Sequence, residues 1–175
     1  GMYLKNASLA EDDKAYVVYY ADNVAAFSDR REAEAGEGGF DKAMPLESIF
    51  NILNGNHGQS HYAMQVLNPK NGINYPTEDE ISMDEHFYQS VIQNITDNLQ
   101  GITLDEEYIN SLLAVLEANL TYIPSSTSKR ELADISLYDH MKMTAAVASC
   151  VMQFLTAKGE KNYKQSLFIN AEKSY

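Results

Sequence analysis

The sequence lacks most of the features that mark secreted or membrane proteins. Only one of its 175 residues is a cysteine, and no apolar run reaches the roughly 18 residues that a membrane-spanning helix needs. No basic, hydrophobic signal peptide follows Met2. These absences predict a cytoplasmic protein with no membrane contact. Cys150 lies among alanines and valines, a setting typical of a small core residue and not of a nucleophile.

Basic residues are also scarce. The chain has 13 lysines and arginines against 25 aspartates and glutamates, which gives a formal net charge of −12. Proteins that bind the phosphates of nucleic acids use Lys and Arg to displace counterions, so this chain is not expected to do so by itself. If it acts on nucleic acid, a partner or a metal ion must supply positive charge.

Common catalytic and metal-binding motifs are missing too. The sequence has no P-loop, no G-x-G-x-x-G and no G-x-S-x-G. His57 and His61 lie four residues apart beside a glycine-rich break. Because no H-E-x-x-H or Cys-x-x-Cys pattern accompanies them, they give little support to a zinc site.

The residues that are present predict a mostly α-helical domain with one small β-hairpin. With 45% hydrophobic and 22% charged residues, the composition is that of a globular protein. A Gly-rich stretch predicts an exposed linker at 33–45, and residues 46–53 are interpreted as a short helical turn or a helix. Alternating residues around Asn-Pro-Lys-Asn-Gly predict a hairpin over 60–78. Apolar periodicity predicts helices over residues 11–32, 83–99, 105–122 and 136–157.

Asp22 is the first candidate site residue. In a helix over 11–32 it shares one face with Ala15, Val18, Tyr19, Ala25 and Ala26. A carboxylate in an apolar stripe is costly unless it is paired, hydrogen-bonded or bound to a metal. Asp22 is therefore either bonded to a neighbouring helix N-terminus or a tyrosine, or it is a metal ligand.

The start of the last helix is the second candidate site. Ser136 followed by Asp139 predicts a near capping box, with the Ser136 side chain accepting the backbone N–H of the third helical residue. His140 falls on the apolar flank of the helix and is expected to be partly buried, as a hydrogen-bonded core residue or as a ligand. Capping leaves Tyr138 and His140 unexplained. The apolar stripe of this helix runs through Leu137, Met141, Ala145, Ala148, Met152 and Leu155.

Both candidate sites resemble one protein family. "ADISLYDHMKMTAAVASC" (133–150) is similar to the segment that closes the N-terminal HD domain of the large subunit of type III-A CRISPR (Csm) effector complexes. "YYADNVAAFSDRRE" (19–32) resembles that domain's Ala-Asp helix, and "PLESIFNIL" (45–53) resembles the stretch that follows. The resemblance implies an HD-domain-like helical bundle that belongs to a single-stranded DNA nuclease of antiviral defence. It implies that Asp22 is a metal ligand.

The resemblance also implies a role for the start of the last helix. Its polar residues would face the metal cleft or a neighbouring domain of the large subunit. We therefore expect an interface or cleft formed by Ser136, Tyr138, Asp139, His140 and Lys142.

One departure from the family is decisive for activity. The HD site takes its ligands from a histidine, a His-Asp doublet and a late aspartate, and this chain contains no His-Asp doublet. One carboxylate cannot assemble the metal pair that would generate hydroxide. We therefore expect a divalent metal in the complete family domain and none in this chain, which should be inactive alone.

The resemblance also implies a domain organisation. Residues 2–160 are interpreted as a truncated HD-like domain and 161–175 as a polar C-terminal tail. The helices that carry the doublet are expected before residue 1, and the Palm, zinc and C-terminal domains of the family are expected to lie outside these 175 residues. Expected partners are the other subunits of a CRISPR ribonucleoprotein complex, with nucleic acid bound only through the full complex.

Two other functions remain open. The chain could be a helical scaffold whose acidic surface docks a basic partner, or a degenerate HD phosphohydrolase that acts on small phosphoesters. The missing His-Asp doublet weighs against the phosphohydrolase. The scaffold is compatible with an HD remnant that has lost its metal.

Overall fold

The structure is a computed structural model that describes residues 8–29, 31, 38–55, 57–81, 84–103 and 105–169. The described part of the chain is mostly α-helical, as the sequence predicts. Residues 32–37, which include the start of the predicted linker, and residue 83, the predicted start of the second helix, lie outside it. The α-helices are α1 (Ala15–Asp29), α2 (Phe87–Leu99), α3 (Glu106–Leu120) and α4 (Leu137–Ala157).

The helix boundaries follow from local chemistry. Asp105 caps α3, because its carboxylate accepts the backbone N–H groups of Glu107 and Tyr108 at 3.0 and 3.1 Å. After α2 the chain turns at Gly101, whose φ of 78° lies in the left-handed region that only glycine adopts without strain. Helix α1 ends at Asp29, and Arg31, which was predicted to belong to this helix, is not helical.

The β-pairing differs from the predicted hairpin. Strand β1 (Leu46–Glu47) pairs antiparallel with β2 (His61–Tyr62), so the hairpin joins 46–47 to 61–62. The predicted 60–78 hairpin is reduced to a single bridge between His61 and Thr77. Residues 46–53 form β1, a complete 3-10 turn at Ile49–Asn51 and the first residue of a second 3-10 turn at Leu53–Gly55. Of the two predicted alternatives, the structure therefore has the helical turn and not an α-helix.

Asn51 explains why this segment is not an α-helix. Its side chain donates to the Ser60 carbonyl at 2.8 Å and accepts the Ser60 N–H at 3.0 Å. The Ser48 backbone N–H also donates to the Ser60 carbonyl, at 2.9 Å. These bonds join residues that are nine or more positions apart in the sequence, so the local apolar pattern could not reveal them. They override the helical preference of the segment.

The chain forms two compact units. Unit 1 comprises the described residues up to Asp29 and from His140 onward, and unit 2 comprises those between. In unit 1 a core cluster joins α1, the end of α4 and a turn at Gln165–Ile169. Leu167, in the segment interpreted as a polar tail, is only 8% exposed, so this segment contributes to the core. The buried members of the cluster are Tyr16, Val17, Leu155 and Leu167.

Unit 2 has its own core. It forms between α2, α3 and the segment that leads into α4. Half-buried side chains, including Phe87 and Leu116, pack around it. The buried members are Val91, Leu120, Ile123 and Tyr138. Within the described residues, no helix is both long enough and apolar enough to cross a membrane.

Candidate functional site

Asp22 lies on the exposed side of α1, contrary to the predicted apolar stripe. Its side chain is 55% exposed, and Val18 is 53% exposed. The predicted stripe is buried only at its end, at Ala25 and Ala26, and the other buried residues of α1 are Tyr16, Val17 and Ala21. Because α1 carries apolar residues on both sides, periodicity alone did not determine which side is buried.

His140 links Asp22 to a second carboxylate in unit 1. Its Nε2 lies 3.0 Å from Asp22 Oδ1, and its Nδ1 lies 2.9 Å from Asp29 Oδ2. The His140 and Asp29 side chains are 12% and 13% exposed. The imidazole of α4 therefore joins two carboxylates that lie two turns apart on α1.

The two contacts favour the protonated imidazole. A carboxylate accepts hydrogen bonds, so both contacts are made at once only when each ring nitrogen carries a proton. Burial alone would lower the pKa of His140, but the hydrogen bonds to Asp29 and Asp22 and the charges of both carboxylates outweigh it and raise this pKa. Geometry and electrostatics thus both favour an imidazolium between the two carboxylates.

The described residues of this chain do not by themselves fit a divalent metal. They contain no group of three or more His, Cys, Asp or Glu side chains arranged to hold one. The three side chains of the bridge cannot converge on an ion, because both nitrogens of His140 are used and the carboxylates lie at opposite nitrogens of the ring. Asp22 alone among them has an exposed carboxylate that could be one ligand of a larger set.

Asp29 is a site residue that the sequence analysis missed. It follows Asp22 by seven residues, which is two helical turns and therefore the same face of α1. This spacing was the available signal. It became informative only once His140 was known to lie opposite both residues.

Ser136 caps α4 as predicted. Its hydroxyl accepts the backbone N–H of Asp139 at 3.0 Å and donates to the Asp139 carboxylate at 2.8 Å. In a full capping box the acid would bond to the N-cap backbone, so this is a variant of it. The helix begins at Leu137, one residue after the predicted start.

The remaining predicted interface residues do not share one environment. Tyr138 is 8% exposed and belongs to the core of unit 2, and Ser136 is buried at 5%. Asp139 and Lys142 are exposed. An interface or cleft formed by all five residues stays a prediction. In this structure Tyr138 belongs to the core of unit 2.

Unit 2 contains a second group of charges that the sequence analysis did not identify. The Asp134 side chain is 3% exposed, and one of its carboxylate oxygens lies 3.2 Å from the guanidinium of Arg31. Glu47 lies close enough that burial, and then the charge of Asp134, raise its pKa. Arg31 compensates a charge that would otherwise be costly to bury.

Comparison with known proteins identifies the family. No protein-family model matches the chain. It is 34% identical over 175 residues to the "CRISPR system single-strand-specific deoxyribonuclease Cas10/Csm1 (subtype III-A)" of Mycobacterium tuberculosis. It is 37% identical over 179 residues to the protein of the same name from Enterococcus italicus. Each match covers 98% of this chain. The chain belongs to the Cas10/Csm1 family of subtype III-A.

The match concerns a portion of Cas10/Csm1. This chain spans 21% of the Mycobacterium tuberculosis protein and 24% of the Enterococcus italicus protein. A solved structure, "Crystal structure of Csm1-Csm4 cassette in complex with cA4", matches with a TM-score of 0.54 and 31% identity. That match covers 76% of this chain and 15% of the solved chain. The resemblance found in the sequence is therefore confirmed at the level of the Cas10/Csm1 family.

Proposed function

We propose that this chain is part of the HD nuclease domain of a type III-A CRISPR effector large subunit, which cleaves single-stranded DNA in antiviral defence. The observation that carries the proposal is the match over 98% of the chain to proteins named single-strand-specific deoxyribonucleases. The structural likeness to a Csm1–Csm4 cassette supports assembly with other subunits of the complex. The compartment is the cytoplasm.

Within that domain Asp22 serves as one ligand of a divalent metal, and the other ligands come from outside this chain. Its exposed carboxylate and its anchoring by His140 support this role. Asp29 is a positioning residue, because it holds the other nitrogen of the same ring. The two aspartates therefore have different tasks.

Alone, the chain is inactive. Its described residues supply no complete ligand set, and its net charge of −12 repels a phosphate backbone. The other subunits of the complex, and metal bound in the complete domain, provide the positive charge that nucleic acid requires.

A chimera tests this function. The matching segment of the Enterococcus italicus relative is replaced by this chain, and cleavage of single-stranded and duplex DNA is followed with manganese. We expect the chimera to cleave single-stranded DNA only, and the isolated chain to cleave neither. Asp22→Asn should abolish cleavage, whereas Asp97→Asn, at an exposed position on α2, should not. An Asp22→Asn chimera as active as its parent would contradict the assignment of Asp22.

A second candidate function, an interaction module that docks a basic partner, is supported by the net charge of −12 and by one observation in unit 2. The segment 49–53 exposes four apolar side chains around the buried Asn51. Here the apolar side chains are exposed and the polar one is buried, the opposite of the usual arrangement. Exposed apolar patches are typical of protein-binding surfaces. The four side chains are Ile49, Phe50, Ile52 and Leu53, which are 48%, 61%, 42% and 44% exposed.

Binding measurements separate the two functions. If docking is the function, the isolated chain binds a basic subunit of the complex, and Ile49→Lys together with Leu53→Lys weakens the binding at least about tenfold, because apolar contacts are lost and like charges meet. The control is Ile73→Lys, at another exposed apolar residue of unit 2. Equal weakening by both changes would indicate nonspecific adhesion.

A further inference from the structure

The outer side of α4 is unusually apolar for an exposed surface. In unit 1, Met143 is 46% exposed, Phe154 is 61% exposed and Cys150 is also exposed. The sequence analysis placed Cys150 in the core, and that prediction is wrong. Leu155, by contrast, is 3% exposed and lies in the core cluster. Helix α4 therefore has an apolar surface besides the one that unit 1 buries.

This second surface has the spacing of a helix-packing seam. Met143, Val147, Cys150 and Phe154 follow one another at intervals of four, three and four residues. That is the a/d pattern by which one helix packs lengthwise against another. We call these four residues the 143–154 seam.

The seam is distinct from the solvent-facing side of α4. Lys142, Ser149 and Gln153 are exposed and lie along another edge of the helix. Isolated apolar residues on a surface need no explanation, but four at regular helical spacing form a continuous patch. The seam is therefore a candidate packing surface.

An open groove lies beside the C-terminal half of the seam. Its volume is about 680 Å³. Cys150 and Phe154 form part of its wall, together with Tyr20, Val151 and Leu167. The Lys158 ammonium lies 5.6 Å from the centre of the Phe154 ring, at the edge of the groove. The groove has room for large apolar side chains projecting from a helix laid along the seam.

Charge argues against a second copy of this chain as the occupant. Each copy has a net charge of −12, so pairing would bring two strongly acidic surfaces together. The curated relatives are four to five times longer than the segment matched here, since the chain spans 21% and 24% of them. Most of the family's polypeptide is therefore available to supply the occupant.

We propose that, in the complete large subunit, a helix from the polypeptide outside this segment packs lengthwise on the 143–154 seam. The inference rests on the proposed function, because it takes this chain to be part of that subunit. The packed helix carries apolar residues at a and d spacing. It buries Cys150 and places a large side chain in the groove.

Cys150, the only cysteine of the chain, reports directly on this contact. We compare its rate of reaction with a thiol-specific reagent in the isolated chain and in the Enterococcus italicus chimera, and follow the labelled peptide that contains Cys150 by mass spectrometry. We expect labelling to be at least about tenfold slower in the chimera, because a packed helix must open before the thiol reacts. The matched control carries Ser149→Cys and Cys150→Ser, and should react at similar rates in both proteins.

Equal labelling of Cys150 in both proteins would overturn the inference. So would concentration-dependent protection of Cys150 in the isolated chain together with a dimer mass in sedimentation, because a second copy would then be the occupant. Single-stranded DNA cleavage by the same chimera tests the proposed function separately. Cleavage with an unprotected Cys150 would refute the packed helix alone, and protection without cleavage would refute the nuclease role alone.

Thermal melts provide an independent test. Phe154→Asp should change the melting temperature of the isolated chain little, because the side chain is 61% exposed. It should lower the melting temperature of the chimera, where a packed helix would have to accept a buried charge. Gln153→Asp, on the solvent-facing edge, should lower neither. If the Phe154→Asp chimera has the same melting temperature as the unsubstituted chimera, no helix packs on the seam.

Discussion

His140 Nε2 lies 3.0 Å from Asp22 Oδ1, although 118 residues separate them in the sequence. The same ring contacts Asp29 through Nδ1 at 2.9 Å. Helix α4 is thus attached to α1 by a charged bridge inside unit 1. Its strength depends on the protonation of one imidazole.

The bridge should make the stability of the protein depend on pH. The hydrogen bonds to Asp29 and Asp22 and the charges of both residues raise the pKa of His140 in spite of its burial, so the folded protein holds this proton more tightly than the unfolded chain. The stabilisation is fully present below about pH 6.5 and is lost as the pH rises through the folded-state pKa. Urea unfolding at a series of pH values, compared with His140→Gln, should show this loss in the parent only.

The two carboxylates of the bridge should contribute unequally. Asp29→Ala should cost about 1–3 kcal/mol, because it leaves a buried N–H of His140 without an acceptor. Asp22→Ala should cost less than about 1 kcal/mol, since Asp22 is 55% exposed and water can replace it. Chemical denaturation of both variants below pH 6.5 measures the difference. A larger loss from Asp22→Ala would show that the exposed contact is the stronger one.

Ser136→Ala should destabilise the protein by about 0.5–2 kcal/mol, the usual value for an N-cap. The hydroxyl satisfies the Asp139 N–H and also bonds to its carboxylate, and both interactions are lost. Ser149→Ala, in the middle of the same helix, is the control and should have little effect. Equal losses from the two changes would argue against the cap.

Leu155→Ala should cost about 2–5 kcal/mol, as a truncation in the core of unit 1. The apolar stripe read from the sequence makes Met152 an equal candidate, but Met152 is only partly buried beside this cluster. Met152→Ala should therefore cost less than Leu155→Ala. Thermal or urea unfolding of the two variants decides between them.

Asn51→Ala should cost about 1–3 kcal/mol, because it leaves the N–H and carbonyl of Ser60 without side-chain partners. Asn74→Ala, which removes one bond to the Ala63 carbonyl, is the control with a smaller expected loss. Denaturant unfolding measures both. If Asn51→Ala were neutral, the 46–55 segment would owe its shape to other contacts.

The sequence alone determined the features that depend on near neighbours. Helices α2, α3 and α4 follow from apolar spacing, and the start of α4 follows from Ser136 and Asp139, because caps and periodicity act within one or two turns. The Cys150 prediction failed for a related reason. Helix α4 is apolar on two sides, and local composition cannot say which side the fold covers.

Only the tertiary structure decided which distant groups meet. Asp22, Asp29 and His140 come together while α1 buries the side with Tyr16 and Val17, whereas the sequence predicted burial of the side with Val18 and Asp22. The pairing of Leu46–Glu47 with His61–Tyr62 is likewise set by bonds to Ser60 that span the intervening loop. Long-range contacts such as these are chosen by the packing of the whole unit, and local preferences yield to it.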